Sequence, residues 1–408
     1  MEEYKNKSTR IKPGSAPYSI LIAWIVLAIT FAATSLTAYY VRIQAKKDAE
    51  REFILECMDV HTRISTRLHS HALLLRSGSA LFEASDSVTR LDWKLFIDGL
   101  AINRNLPGIQ GIGYAVIIPK NQLARHILDI RYEGFPDYQV KPEGDRDTYT
   151  SIVFLEPMKG RNLRAVGYDM FSEKVRRKAM EVSRDSNLAM LSGKVMLVQE
   201  TNLDVQAGTL MYVPVYRRGM PLSTVNERRA AIRGWVYSPY RMEDLLKGIL
   251  GNRYEEISKK IRLRVYDDNP ANQETLLFDT QQDSDIQESG PSITNTLRLN
   301  FNGKSWFMSF TNSSDPRLKF FNKEVSAVLI IGFTFGTLLF LLILSLLNTQ
   351  YRVKLAGRLS KELRESLDKQ VALFKAIPDA IFIFDHDTRQ IEEINNKAAD
   401  QYGYSTTE

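Results

Sequence analysis

Residues 167–180 read GYDMFSEKVRRKAM, and this stretch decides how the middle of the chain is interpreted. An apolar segment ends on Asp169, and a helix rich in basic residues follows it. Ser172 is predicted to cap that helix, because a serine hydroxyl can accept a hydrogen bond from the first backbone N–H groups. The predicted apolar side of the helix carries Val175, Ala179 and Val182.

Three basic residues lie elsewhere on this predicted helix: Arg176, Arg177 and Lys178. They are interpreted as solvated surface, with an anion-binding site as the alternative. Asp169 also has a purely structural interpretation. It could accept hydrogen bonds at the helix start, or pair with Arg176 or Arg177.

Strand-like segments lie on both sides of this stretch. They occupy residues 149–157, 163–170, 194–200 and 208–216. A short helix with Thr89 as its predicted N-cap precedes them. This order favours an α+β fold with a mostly antiparallel sheet over the repeated strand–helix–strand units of a dinucleotide-binding fold.

A second sheet is predicted between residue 232 and the second apolar stretch. A strand at 232–239, a helix from about Arg241 and a strand from residue 261 lead to a hairpin. Its turn is the pair Asn302-Gly303, typical of a two-residue hairpin loop. The residues that alternate onto one face are Leu297, Leu299, Phe301, Trp306, Met308 and Phe310.

Two uncharged stretches are long and apolar enough to cross a membrane. They lie between Lys12 and Arg42 and between Glu324 and Arg352. At about 1.5 Å per residue, each spans the roughly 30 Å hydrocarbon layer. A cleaved signal peptide is the alternative for the first stretch, which is longer than such segments usually are. Cations precede the first stretch and follow the second, so both termini are expected in the cytoplasm and the intervening domain outside. The chain is thus predicted to be a two-pass protein of the cell inner membrane or plasma membrane.

An amphipathic helix is predicted to continue beyond the first span. Its apolar residues, called the stalk stripe below, are Phe53, Cys57, Val60, Ile64, Leu68 and Leu75. This stripe can pack on its own domain or against a second copy in a homodimer, and the pattern does not choose between them. Cys57, the single cysteine, is interpreted as a small core residue, with an intersubunit bridge as the alternative.

His61, His69 and His71 lie on the same predicted helix. A metal site would require further ligands at suitable spacing, and no Cys or acidic cluster completes a set. The three histidines are therefore interpreted as solvated surface residues. The sequence indicates no metal site and no cofactor.

Four blocks of the sequence resemble the CHASE domain, the extracellular ligand-binding module of plant cytokinin receptors and of many bacterial sensors. The blocks are GFPDYQVKPEGDRDTYTSIVFLEP (134–157), RNLRAVGYDMFSEKVRRKAM (161–180), LSGKVMLVQE (191–200) and GTLMYVPVY (208–216). The resemblance covers roughly residues 90–240. It implies a long stalk helix and two PAS-like sheet domains, with the ligand in the one farther from the membrane.

The resemblance also implies ligand-binding residues. Asp169 falls where the plant receptors have a pocket acid that hydrogen-bonds adenine, Ser192 where they have a threonine, and Val213 where they have a phenylalanine. An unpaired buried carboxylate would select a ligand with N–H donors. Valine offers no flat stacking surface, so an adenine-type ligand is one candidate and the identity of the small-molecule ligand stays open.

A further helix and a partial domain follow the second span. Leu355, Leu359, Leu363, Leu367 and Val371, spaced four apart, predict the helix. The stretch that follows resembles the beginning of a PAS domain, with two strands, a turn and a short helix that ends at Gly403. Because the remaining strands are not in the sequence, the chain is interpreted as a fragment or an interrupted gene product.

The predicted architecture is an α+β membrane receptor. A long stalk helix and two PAS-like antiparallel-sheet subdomains lie between two transmembrane helices, and a signalling helix and a truncated PAS domain follow. The boundaries are 1–17 for the N-terminal tail, 18–41 for the first span, 42–324 for the sensor domain (stalk 42–82, membrane-distal part 88–225, membrane-proximal part 226–315), 325–347 for the second span, 348–372 for the signalling helix and 373–408 for the truncated PAS domain.

These features favour a transmembrane signal-transduction receptor, expected as a homodimer, with a sensor histidine kinase as its output. The alternatives are the input region of a diguanylate cyclase, an adaptor without an enzymatic output and, remotely, a membrane-anchored hydrolase that uses Asp169 and Glu156 as paired carboxylates. No catalytic motif is found in the chain. Much of the excess positive charge, +6 in total, lies beside the apolar stretches, so no nucleic-acid partner is expected.

Overall fold

The computed structural model of the protein describes residues 16–102, 108–200, 205–268, 272–281, 292–312, 315–319 and 321–403. Most of the predicted N-terminal tail lies outside these residues. The chain divides into two compact units, one formed by Arg42–Asn322 and the other by Met1–Val41 with Lys323–Glu408.

The first helix, α1, is unbroken from Ala16 to Ala84. Helix α2 (Arg90–Gly99) follows, and its predicted cap is confirmed. The Thr89 hydroxyl accepts from the backbone N–H of Asp92 at 3.1 Å, and the Asp92 carboxylate accepts from the backbone N–H of Thr89 at 2.9 Å. This reciprocal capping box fixes where α2 begins.

A five-stranded sheet forms the first part of the Arg42–Asn322 unit. Its strands lie in the order β2-β1-β5-β4-β3, and every pair is antiparallel, as predicted. The strands are β1 (Ile112–Pro119), β2 (Thr148–Glu156), β3 (Met190–Leu191), β4 (Gly208–Tyr216) and β5 (Ile232–Arg241). Helices α3 (Leu123–Tyr132), α4 (Lys174–Ser186) and α5 (Val225–Ala231) connect them.

Two of the predicted strands are wrong. Residues 163–170 fall in and between two 3₁₀ turns, Gly160–Ala165 and Met170–Ser172, because Gly167 has a φ of +81° and interrupts the extended chain. Residues 194–200 form only an isolated bridge, between Val195 and Gly208.

The start of α4 also differs from the prediction. Glu173 is the N-cap, and its carboxylate accepts from the backbone N–H groups of Val175 (2.8 Å) and Arg176 (3.0 Å). Ser172 instead donates its hydroxyl proton to the carbonyl of Asp169. The predicted apolar side is wrong as well, since Val175 and Val182 are 36% and 40% exposed. The residues that α4 buries are Arg176, Ala179, Met180 and Ser183.

A four-stranded antiparallel sheet in the order β7-β6-β9-β8 forms the second part of the unit. Its strands are β6 (Arg262–Asp267), β7 (Leu276–Asp279), β8 (Ile293–Phe301) and β9 (Lys304–Asn312), and helices α6 (Met242–Leu250) and α7 (Arg253–Lys260) precede them. The predicted hairpin is confirmed, with Phe301 paired to Lys304 across a turn in which Asn302 and Gly303 both have positive φ.

Strand β5 ends at Arg241 and α6 begins at Met242, so no loop separates the five-stranded sheet from the helices that lead to the second sheet. The Arg241 guanidinium is buried and donates to Glu200 at 2.7 Å and to Asp244 at 2.8 Å. Opposite charges thus satisfy one another at the junction, which lowers the cost of burying them.

Helix α1 packs along both sheets. The stalk stripe is buried, and it shares one hydrophobic core with side chains of the five-stranded sheet, such as Val236, and of the four-stranded sheet, such as Phe310. Gly78 allows close contact, since a Cβ there would lie 3.2 Å from Val236. The Ser79 hydroxyl donates to the carbonyl of Pro214 at 2.7 Å. The stripe therefore packs on its own domain, one of the two predicted alternatives.

The burial of α1 decides two further predictions. Cys57 is a buried core residue, as predicted, and burial raises the pKa of its thiol to about 12. The interpretation of His71 as a surface residue is wrong, whereas His69 is exposed as predicted. The His71 ring is fully buried and stacks on Tyr240 with centroids 5.4 Å apart, and burial, with Arg67, lowers its pKa to about 3.

A second core covers the opposite face of the five-stranded sheet. Helix α4 and residues 160–172 pack there against Tyr212 and Trp235. The indole N–H of Trp235 donates to the carbonyl of Met180 at 3.0 Å, and the Ser183 hydroxyl to that of Tyr212 at 3.0 Å. The sheet is thus covered on both faces.

The other unit contains two helices that are long and apolar enough to cross a membrane, the first part of α1 and α8 (Lys323–Ala376). They contact each other through Trp24 with Phe340 and Phe31 with Phe333, at centroid distances of 4.9 and 4.7 Å. A hairpin of β10 (Phe382–Phe384) and β11 (Ile391–Ile394) and helix α9 (Asn396–Tyr402) follow, as predicted.

Candidate ligand-binding site

Asp169 is fully buried, and one of its carboxylate oxygens is saturated. Oδ1 accepts from the backbone N–H of Thr150 (2.9 Å), from the Thr150 hydroxyl (2.8 Å) and from the backbone N–H of Phe171 (3.0 Å). Oδ2 lies 3.0 Å from Nε of Arg146, an ion-pair distance, although the angle is not that of a hydrogen bond. The carboxylate therefore ties the 160–172 segment to β2.

The structural interpretation of Asp169 is correct in kind and wrong in its partner. The cation is Arg146, and neither Arg176 nor Arg177 is the partner. Arg176 donates to the hydroxyl of Tyr168 and to a backbone carbonyl, and Arg177 donates to the carbonyl of Phe171. A role for Asp169 in ligand binding stays a prediction.

Ser192 and Val213 lie away from Asp169. The Ser192 hydroxyl donates to the carbonyl of Gly193 at 2.8 Å and accepts from the backbone N–H of Leu210 at 3.0 Å, so it holds the turn after β3. Val213 is buried in the core that α1 covers, whereas Asp169 contacts the opposite side of the sheet through Thr150. The structure does not bring the three predicted residues into one pocket.

A small cavity lies between the sheet and α4, beside the 168–170 motif. We call it the chamber; it is lined by Ile152, Ala165, Tyr168, Met170, Arg176, Leu197, Val198, Gln199, Leu210 and Tyr237. Its volume is about 10 Å³, room for about one water molecule. The chamber thus brings together two neighbours of Asp169, a buried cation of α4 and side chains of three strands.

Arg176 is the charged residue of the chamber, and the sequence interpretation of it as solvated surface is wrong. It is 4% exposed, and its guanidinium donates to the Tyr168 hydroxyl at 2.9 Å and to the Met196 carbonyl at 2.6 Å. Arg177 and Lys178 are exposed, as predicted. Arg176 lies three and four residues before Ala179 and Met180, a spacing that places all three on one face of the helix. The two exposed valines instead led to the prediction of a different buried face.

Tyr237 and Tyr212 contribute buried phenol groups. They lie directly opposite each other on β5 and β4, and within the described residues neither hydroxyl has a hydrogen-bond partner. Burial raises the pKa of both phenols above the usual value, so both remain protonated donors. Gly113 on β1 makes room for Tyr237, since a Cβ there would lie 2.5 Å from its ring.

The paired carboxylates of the hydrolase alternative are not brought together. Asp169 contacts β2 at Thr150, and Glu156 lies at the far end of that strand, about 20 Å away at the usual rise per residue. Paired carboxylates of a hydrolase lie about 5 to 9.5 Å apart, so the geometry does not support that alternative. In the described part of the chain, no group of three or more His, Cys, Asp or Glu residues could hold a metal ion.

A wider groove of about 680 Å³ lies between the β3–β4 connection and β7, with Lys194, Gln206, Glu243 and Phe278 among its lining residues. It is open on one side and carries charges of both signs, so its chemistry favours no ligand class.

Comparisons with known proteins match two segments of the chain to protein families. Residues 86–278 match the family model of the CHASE domain, and residues 369–408 match that of a PAS domain. Hybrid signal transduction histidine kinase A of Dictyostelium discoideum is 21% identical over an alignment of 357 residues, which covers 78% of this chain and 16% of that kinase. The chain thus spans about one sixth of the length of that relative.

Among solved structures, the periplasmic sensory domain of the Campylobacter jejuni chemoreceptor Tlp1 is similar at a TM-score of 0.33 and 8% identity, over 65% of this chain and 92% of that one. The family matches support the interpretation of residues 86–278 as a CHASE domain and of the C-terminal segment as part of a PAS domain. The chain therefore carries a CHASE domain at residues 86–278 followed by a PAS-domain segment at residues 369–408, the arrangement of a signal-transduction sensor.

Proposed function

We propose that the chain is a two-span membrane sensor whose CHASE domain lies outside the membrane and binds a small molecule in the chamber beneath α4. The observation that carries this proposal is the polar lining of the chamber. A buried arginine and a buried tyrosine, whose hydroxyl has no hydrogen-bond partner among the described residues, both line this small cavity. Leaving that hydroxyl unsatisfied is costly, and a ligand that pairs with it and with the buried cation recovers free energy.

The packing of the unit supports a relay from the chamber to α1. The sheet that forms the chamber floor has its other face against the stalk stripe, so a shift of β4 or β5 changes the surface on which α1 packs. A second contact runs through the turn after Ser192, where the backbone N–H of Lys194 donates to Asp267 of β6 at 3.0 Å. A ligand shifts such an equilibrium only if it binds one arrangement more tightly.

The output that we propose is a histidine kinase, since the curated relative is one. The input region of a diguanylate cyclase stays the alternative. A homodimer is part of the proposal, because the apolar stripe of α8, called the C-terminal stripe (Leu355, Leu359, Leu363, Leu367 and Val371), is exposed. An exposed apolar stripe along a helix is typical of a helix-pairing surface.

The orientation can be tested with the single native cysteine as a silent background, because Cys57 is buried. Ser223→Cys and Ser360→Cys each place a thiol at an exposed site, one in the sensory unit and one on α8. In intact host cells, a membrane-impermeant maleimide should label the first variant and not the second. Labelling of the second alone would reverse the proposed topology.

Ligand binding is tested by thermal unfolding of the full chain in lipid nanodiscs with neutral, anionic and cationic metabolites. A ligand at about 100 times its Kd should raise the midpoint by several degrees. Ala165→Leu, which fills the chamber, should abolish that rise, while the exposed neighbour Arg164→Leu should retain it. A rise that survives in Ala165→Leu would place the ligand elsewhere.

A further inference from the structure

We propose that the chamber selects a small organic anion of the carboxylate class, which it holds through Arg176 and Tyr237. This inference rests on the proposed function, since it assumes that the chamber is the ligand site.

The positive charge of Arg176 has little compensation. Its two hydrogen-bond acceptors, the Tyr168 hydroxyl and the Met196 carbonyl, are neutral. Among the described residues, Glu173 brings the one carboxylate within 4.0 Å, at 3.9 Å, and that carboxylate already caps α4. A buried guanidinium is stabilised by an anion at hydrogen-bond distance, and a carboxylate matches its planar fork.

Three phenol groups of this region can donate as well, and the Gln199 amide, which also lines the chamber, carries both a donor and an acceptor group. Tyr237 lines the chamber with a hydroxyl that has no partner in the described part of the chain, and Tyr212, its cross-strand neighbour, is in the same state. The Tyr168 hydroxyl accepts from Arg176, which leaves its own proton for a further acceptor. A ligand that presents oxygen acceptors pairs with these hydroxyl protons, whereas a ligand that presents only N–H donors leaves the protons without an acceptor.

Asp169 does not offset this preference. Its Oδ1 already accepts three hydrogen bonds, its Oδ2 faces Arg146, and it is not among the residues that line the chamber. The acceptor that would recognise an adenine ring is therefore engaged within the fold. The chamber in this structure favours the opposite hydrogen-bonding chemistry.

Size sets a second limit on the ligand. The chamber holds about one water, so even a small carboxylate requires its wall to move. Leu197 and Val198 lie on that wall and outside the strands, so their displacement breaks no ladder hydrogen bonds of the sheet. Ligands of a few heavy atoms require the least movement.

The test uses the full chain in nanodiscs with sodium acetate and sodium pyruvate as probes. Acetamide and adenine are the neutral probes, and sodium chloride at equal ionic strength is the control for simple anions. The carboxylates should raise the unfolding midpoint by several degrees and the neutral compounds should not. Arg176→Gln should weaken carboxylate binding by at least about tenfold, since a hydrogen bond to a charged group is lost. Tyr237→Phe, which removes one hydroxyl from the same ring, should weaken it less.

Lys178→Gln is the matched control, because it removes one positive charge from an exposed position of the same helix. Equal weakening in this variant would show that net charge, and not the chamber, attracts the anion, which would overturn the inference. A midpoint raised by acetamide or adenine and not by the carboxylates would overturn it while leaving the sensor function intact. If no probe and no metabolite of the wider panel raises the midpoint, the proposed ligand site fails together with the inference.

Discussion

The two long helices carry similar apolar stripes, but one stripe is buried and the other is exposed. The stalk stripe of α1 is at most 1% exposed, whereas the five residues of the C-terminal stripe of α8 are 44% to 63% exposed. In both cases the spacing of apolar residues predicts an amphipathic helix with one apolar face. What differs is the neighbour, since two sheets cover the first stripe. The comparison shows that an apolar stripe indicates a surface that packs against something, but does not identify the element or chain that covers it.

The largest effect is expected from truncating one residue of each stripe. Leu68→Ala should lower the free energy of unfolding of the sensory unit by about 3 kcal/mol, because it leaves a cavity in a closed core. Leu359→Ala should change it by less than about 0.5 kcal/mol, because Leu359 lies outside that unit, and it should instead weaken the proposed pairing of two copies through the C-terminal stripe. Chemical denaturation of the two full-length variants measures the stability, and sedimentation measures the pairing. Unchanged pairing in Leu359→Ala would contradict the proposed homodimer surface.

Covered and less covered carboxylates should differ in the same way. Asp169→Asn keeps the shape of the side chain but removes the charge opposite Arg146 from a buried site, so a loss of about 2 to 3 kcal/mol is expected. Glu156→Gln should cost under about 1 kcal/mol, since Glu156 is only half-buried and accepts one backbone N–H, that of Met158. Denaturant midpoints at pH 7 compare the two. Equal losses would contradict the structural role assigned to Asp169.

His71 and His69 sharpen the comparison through pH. The folded-state pKa of His71 is about 3, below an unfolded value of about 6.5, so the unfolded chain takes up a proton first as pH falls. The stabilising contribution is complete above pH 6.5 and is lost progressively toward pH 3. Between pH 7 and 5 it should fall by about 2 kcal/mol.

His71→Phe keeps an aromatic ring beside Tyr240 and should remove that loss, whereas His69→Phe, at an exposed site, should retain it. Unfolding of both variants between pH 7 and 5 provides the measurement. If the stability of the parent protein and that of His71→Phe change equally between pH 7 and 5, the pKa of His71 is not lowered in the folded state, which would contradict this prediction.

The smallest effect contrasts two glycines of α8. A Cβ at Gly332 would collide with Thr34, whereas a Cβ at Gly357 would meet nothing within 4 Å. Gly332→Ala should weaken the contact between the two apolar helices by about 1 kcal/mol, because small residues allow close approach. Gly357→Ala should stabilise its helix by up to about 1 kcal/mol. Thermal unfolding in nanodiscs should therefore give shifts of opposite sign, and shifts of the same sign would contradict the contact at Gly332.

The parts of the fold that sequence predicts are those fixed by local patterns. The Thr89 cap, the predicted strands at 149–157 and 208–216 and the hairpin at Asn302-Gly303 each depend on residues close in the chain. The errors fall where a distant element decides burial. Arg176 and His71 are buried by elements that lie far away in the chain, so the residues next to them in sequence do not predict their burial.

The site was less predictable than the fold because the face of a strand changes with every residue. The resemblance placed Val213 in β4 correctly, but its side chain faces α1 while that of Tyr212, the preceding residue, faces the second core. The chamber residues Tyr237 and Gln199 carried no signal of their own. Only the fold, which brings three strands and a helix start together, identifies them.

The shared core of α1 has a consequence for how this sensor can be cut and recombined. The family match covers residues 86–278, which leaves out α1 and the β8–β9 hairpin. Both sheets bury one face against α1, so a protein expressed from the family boundaries would expose that face to solvent and is expected to aggregate. The smallest portable module begins before Phe53 and ends after β9, and a chimaeric receptor should inherit this sensor only together with its own helix.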